Sequence, residues 1–144
     1  MTSPFPLPAP MIRALELAAQ AAEAGEVPIG AVVVQGGVII GEGENRNRRD
    51  KDPSAHAEMV AIRAAAQRLG DFRLTGCDLY VTLEPCAMCA GAISHARIAR
   101  LYYGAVDPKG GGVEHGARVF AHPQCHHRPE VYRSEEHTSE LQSH

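Results

Sequence analysis

Two short clusters hold side chains that can bind a metal and move a proton. His56-Ala57-Glu58 precedes one segment of helical apolar spacing, and Pro85-Cys86-Ala87-Met88-Cys89 opens another. Cysteines three apart share one face of a helical turn, so two thiolates at that spacing can chelate a single ion. A helix N-terminus favours negative charge and helps supply those thiolates. His56 adds a third ligand. One nitrogen and two sulfurs leave a tetrahedral position open, the mark of a catalytic zinc rather than a closed structural one. Water bound at such a position falls from a pKa of roughly 15.7 to about 7. Glu58 is then the natural proton carrier.

Geometry sets a condition on this reading. Residues two apart on an ideal helix point about 200° apart. His56 and Glu58 therefore reach one site only if it lies at the helix tip, approached end-on. Both motifs open their helices, which makes that arrangement available.

The elements that must deliver these tips can be read along the chain. Pro10 opens a first helix, in which Met11, Ile12, Leu15, Ala18, Ala19 and Ala22 recur at helical spacing before Gly25 stops it. Pro28 to Gln35 reads as a buried strand, Gly36-Gly37 as a hairpin turn, and Val38 to Asn45 as the returning strand. A polar loop over 46–53 leads to Ser54, the expected N-cap of a second helix closed by Gly70. Cys77 to Leu83 is a third strand, Pro85 starts a short helix, and Ile98 to Gly104 is a fourth strand. Asp107 to Gly116 is a glycine-rich loop, and Val131-Tyr132 begins a fifth strand. Helices placed between strands predict an α/β fold with a mixed sheet.

The chain's 144 residues, with 44% hydrophobic and 22% charged side chains, suit one globular domain and argue against disorder. The longest apolar stretches, 31–34 and 38–40, fall far short of the ~20 residues that span a bilayer. The proline-rich leader over 1–9 is not a signal peptide, so the cysteines are expected in a reducing, cytoplasmic setting. Residues 133–144 lack apolar periodicity and resemble a translated sequencing adapter. They are expected to be a non-native tail on a single domain over 10–132. The net charge of −3 argues weakly against nucleic-acid binding, but without that tail the body is near neutral. Arg46, Arg48, Arg49 and Lys51 cluster just upstream of the His56 motif.

His-x-Glu combined with Pro-Cys-x-x-Cys marks zinc deaminases. Further segments narrow the match: Val27-Pro28-Ile29-Gly30-Ala31-Val32, Gly41-Glu42-Gly43-Glu44-Asn45, and Thr82-Leu83-Glu84 running into the cysteine motif. Over roughly 14–132 the sequence resembles the bacterial tRNA-specific adenosine deaminases (TadA type). The resemblance implies a cytidine deaminase-like three-layer α/β/α fold with about five strands, a homodimer, and one zinc per subunit. It implies hydrolysis of the wobble adenosine of a tRNA anticodon stem-loop to inosine. In that scheme activated water attacks C6 of a flipped-out adenine, Glu58 relays the proton, and His56, Cys86 and Cys89 hold zinc.

The same resemblance places Asn45 against the target nucleoside and Val27 and Pro28 on the wall of the base pocket. Asp107 and Lys109 fall on a loop that grips RNA. Arg46, Arg48, Arg49 and Lys51 become candidate phosphate contacts. Relatives continue past the fifth strand into a helix that covers the sheet, whereas here the match stops at Tyr132. Three other readings stay open: a deaminase of free guanine or cytosine, a deaminase of cytosine in single-stranded nucleic acid, and a non-catalytic zinc module. The last would recruit a fourth ligand from Cys77, Cys125 or one of His122, His126 and His127. Apart from that use, these three histidines could contact RNA, brace a loop, or do neither.

Overall fold

The computed structural model describes residues 7–133. Most of the leader and all of the adapter-like tail after Arg133 lie outside them. Helix α1 (Ala9–Glu23) is entered from Pro8, with Pro10 in its first turn, where no intrahelical N–H is needed. Met11, Ala14, Leu17, Ala18 and Ala21 form its buried stripe. Strands β1 (Gly30–Gln35) and β2 (Val38–Glu44) pair antiparallel. The turn between them uses Gly36 and Gly37, both at positive φ, as a two-residue hairpin requires.

After β2 come a one-turn helix α2 (Asn47–Asp50), helix α3 (Ala57–Leu69), β3 (Asp78–Leu83), helix α4 (Ala87–His95), β4 (Arg100–Ala105) and β5 (Glu130–Arg133). The sheet order is β2-β1-β3-β4-β5. β1 meets β3 antiparallel, whereas β3–β4 and β4–β5 are parallel. The sheet is therefore mixed, with α4 as the crossover between β3 and β4.

Alternation along the strands builds three layers. Val32 and Val34 of β1 point to Leu17 of α1. Ala31 and Val33, with Leu79, Val81, Leu101 and Tyr103, point the other way into the main core beneath α3 and α4. Contact is closest where side chains vanish. A Cβ on Gly43 would sit 2.2 Å from the Ala57 carbonyl oxygen of α3, and one on Gly30 would sit 2.0 Å from that of Ala14 in α1. On the α1 side, Tyr80, Tyr102 and Tyr132 stack across β3, β4 and β5 with centroids 4.4 and 5.1 Å apart.

Four expectations are corrected. Ser54 is not the cap of α3: the Asp52 carboxylate takes both its N–H and its hydroxyl, and His56 is the N-cap instead. The 46–53 segment is not all loop, because the buried Glu26 carboxylate gathers the Arg48 and Arg49 N–H groups into the turn of α2. Pro85 stands outside α4, its carbonyl accepting from Gly112 N–H. Arg133, set aside with the tail, ends β5 opposite Tyr103 and pairs with Glu114 at 3.4 Å.

Candidate metal and active site

The end-on condition is met because both leading ligands are N-cap residues. His56 and Cys86 each hold an extended backbone (ψ 156° and 175°) just before α3 and α4 begin. His56 is thus outside helical geometry, and the 200° divergence from Glu58 does not apply. Cys89 sits one turn into α4 and faces the same point.

His56 Nδ1 lies 3.6 Å from Cys86 Sγ and 3.5 Å from Cys89 Sγ, and the three donor atoms fall within 4.8 Å of one another. A tetrahedral zinc with bonds of about 2.05 Å to nitrogen and 2.3 Å to sulfur separates those donors by about 3.6 Å. The donor set and its spacing fit zinc. Among the described residues this is the single metal-capable cluster, with no fourth histidine, cysteine or carboxylate joining it.

The thiols are prepared for a cation. Cys89's hydrogen bond, then its backbone N–H and His56, pull the Cys86 pKa down to about 5 against the cost of burial. Cys89 is driven upward by donating to Cys86, by burial and by the charge of Glu58. A coordinating divalent cation removes that second proton.

Glu58, in the first turn of α3, is 4% exposed. Burial raises its pKa to about 7, with Cys86 adding to the rise and its own backbone N–H and His56 opposing it. A carboxyl poised there both accepts and returns protons near neutrality.

Asn45 is buried, and its Oδ1 accepts the Ala57 N–H at 2.8 Å. It therefore supplies from a neighbouring strand end the helix cap that Ser54 does not provide. Arg49 stabilises the same corner. Its guanidinium bonds Glu26, Glu44 and the Asn45 carbonyl, the last at 2.6 Å. Arg46 pairs with Asp50, Arg48 reaches the Gly25 carbonyl, and Lys51 is exposed at positive φ. Val27 and Pro28 are exposed beside this corner. Asp107 Oδ1 closes a turn on the N–H groups of Lys109 and Gly110.

Cys77, Cys125, His122 and His127 have other partners. Cys77 is buried against Thr75, and Cys125 lies beside Ser94 and the His127 carbonyl. His127 Nε2 bonds the Ile98 carbonyl at 2.7 Å, and His122 accepts from Gln124 N–H. His122 and His126 line a cavity of about 270 Å³ that includes none of the three metal ligands.

The family model for the cytidine and deoxycytidylate deaminase zinc-binding region matches residues 9–105. The chain belongs to this deaminase family. The deaminase is 60% identical over 119 residues to the tRNA-specific adenosine deaminase of Agrobacterium fabrum, covering 83% of this chain and 78% of that one. Its fold superposes with a TM-score of 0.85 and 59% identity on a structure from work on A-to-I editing by tRNA deaminases at the wobble position. That match covers 86% of this chain and 95% of the other. Guanine deaminase from Bacillus subtilis matches at 46% identity and TM-score 0.66, over 67% and 62% of the two chains. The deaminase is thus a zinc-dependent hydrolase with the mixed five-stranded α/β architecture expected of the family.

Two buried carboxylates have roles that sequence reasoning missed. Glu26 organises α2, as described above. Glu84, adjoining the cysteine motif, receives five N–H groups from the glycine-rich loop. Their partners lie 22–31 residues away along the chain, so local patterning carries no signal of them.

Proposed function

We propose that this deaminase hydrolyses adenosine to inosine at the wobble position of a tRNA anticodon stem-loop. The observation that carries the reading is a buried Glu58 beside a three-ligand site, in a chain 60% identical to a tRNA-specific adenosine deaminase.

His56, Cys86 and Cys89 hold zinc, which supplies the Lewis acidity that makes water nucleophilic near neutral pH. Glu58 takes a proton from that water, places it on the purine N1 as C6 is attacked, and delivers a second to the departing amine. Water and adenosine become inosine and ammonia, with no redox partner. Asn45 holds the start of α3 and so the approach of Glu58. Val27 and Pro28 wall the base, and Asp107 and Lys109 grip the flanking RNA. Arg46, Arg48 and Lys51, with Arg49 behind them, contact phosphates. The protein works as a cytoplasmic homodimer. Among the described residues no helix is long and apolar enough to cross a membrane.

Inosine formation on a synthetic anticodon stem-loop with wobble adenosine tests this directly. Glu58→Ala should keep zinc and lose at least about a hundredfold in turnover. Undiminished deamination by that variant would remove Glu58 from the mechanism. Turnover of free guanine with none of the stem-loop would favour the free-base reading that the guanine deaminase likeness also supports.

A further inference from the structure

Glu84 links strand β3 to the ligand Cys86, yet it is not a member of the metal cluster. Its side chain is fully buried. One carboxylate oxygen accepts Asp107 N–H at 3.0 Å and His115 Nδ1–H at 2.9 Å. The other accepts the N–H groups of Val113, Glu114 and His115 at 3.1, 2.8 and 3.1 Å. Two carboxylate oxygens offer about four lone-pair sites. Five donors saturate them, so Glu84 has no capacity left to accept a proton from substrate.

The loop is moulded to this carboxylate. A Cβ on Gly111 would lie 2.4 Å from Glu84 Oε2, and one on Gly112 would lie 2.5 Å from the Ala87 nitrogen at the start of α4. Gly112 N–H also bonds the Pro85 carbonyl at 2.8 Å. The Glu84 side chain and the Pro85 carbonyl thus fasten residues 107–116 to the helix end that bears Cys86 and Cys89.

We propose that Glu84 is a positioning residue, a buried clamp that sets the loop bearing Asp107 and Lys109 at a fixed distance from the metal centre. The proposal rests on the reading of the substrate as an RNA loop. Glu84 acts through the loop and touches neither zinc nor the reacting base.

Glu84→Gln replaces one acceptor oxygen with an amide that faces N–H groups. Three readouts decide its effect: zinc content, amide hydrogen exchange, and the separate KM and kcat for the stem-loop. Zinc should stay stoichiometric, while the amides of Asp107, Val113, Glu114 and His115 exchange at least about tenfold faster. KM should rise about tenfold or more with kcat within about threefold of the parent. Gly111→Ala leaves the carboxylate in place but pushes the loop off it, and should reproduce the KM effect. That variant decides the matter if Glu84→Gln fails to fold. Unchanged KM in a folded variant, or a fall in kcat and zinc together at constant KM, overturns the proposal. Parent protein that makes no inosine overturns the substrate reading instead, and the exchange rates still decide whether Glu84 holds the loop.

Discussion

At the residue scale, the division of labour follows from what each group's surroundings do to its proton. Cys86 is an easy thiolate, Cys89 a reluctant one, and Glu58 a carboxyl raised to about 7 by burial. Removing one ligand leaves two, which is too few to hold zinc tightly against water. Cys86→Ala should therefore lose both zinc and deamination, as read by metal analysis of the purified variant. Full zinc occupancy would mean that another residue completes the site. These four residues were legible because their types and spacing are the chemistry itself. Asn45 was singled out in the sequence only through family likeness, as a contact to the nucleoside and not as a helix cap. Its capping bond to Ala57 spans 12 positions and leaves no local pattern.

At the element scale, the active site depends on how closely α3 approaches the sheet. Gly41 and Gly43 on β2 face Ala57, Ala61 and Ala65 on α3, so backbone nearly meets backbone. Gly43→Ala would place a methyl 2.2 Å from the Ala57 carbonyl oxygen, one residue from both His56 and Glu58. The helix must lift or tilt. Overpacking of this kind costs typically 1–3 kcal/mol, and the clash with unyielding backbone puts this case at about 3. A drop in melting temperature together with lost activity is expected, and wild-type values in both would show that α3 has room to spare. The strands and helices α1 and α3 were legible from apolar patterning and glycine stops, and the short α4 from the proline just ahead of it. The start of α3 is misleading in the sequence because Ser54 has the right chemistry for a cap but is captured by Asp52. Helix α2 escapes a sequence reading because a four-residue turn has no period, and its backbone is organised by the distant Glu26.

At the scale of the whole molecule, long-range electrostatics separates the basic segment's outward and inward roles. Arg46, Arg48 and Lys51 belong to a chain of net charge −3, so any attraction for RNA has to be local. Neutralising these three should raise KM for the stem-loop. It should also reduce the slope of log affinity against log salt by about 0.7 for each phosphate that is no longer neutralised. An unchanged slope would make the segment merely solvated. Arg49 belongs to the inward set with Glu26, whose side chain is only 2% exposed. Burial pushes the Glu26 carboxyl up, but the N–H groups of Arg49 and Arg48 and the Arg49 guanidinium outweigh it and hold the pKa below its ordinary 4.5. A carboxylate depressed on folding stabilises the fold fully above its unfolded value, and that contribution is lost as pH falls through the folded one. Glu26→Gln should therefore melt below the parent at pH 7, with the gap closing only as pH drops beneath about 4.5. Melting curves of both proteins across pH 3–7 measure it, and the difference between them removes the acid loss of zinc that they share. A gap that stayed constant down to pH 3 would show that Glu26 acts by shape rather than by charge. The corner carrying Arg49, Asn45 and the start of α3 would then owe its stability to packing.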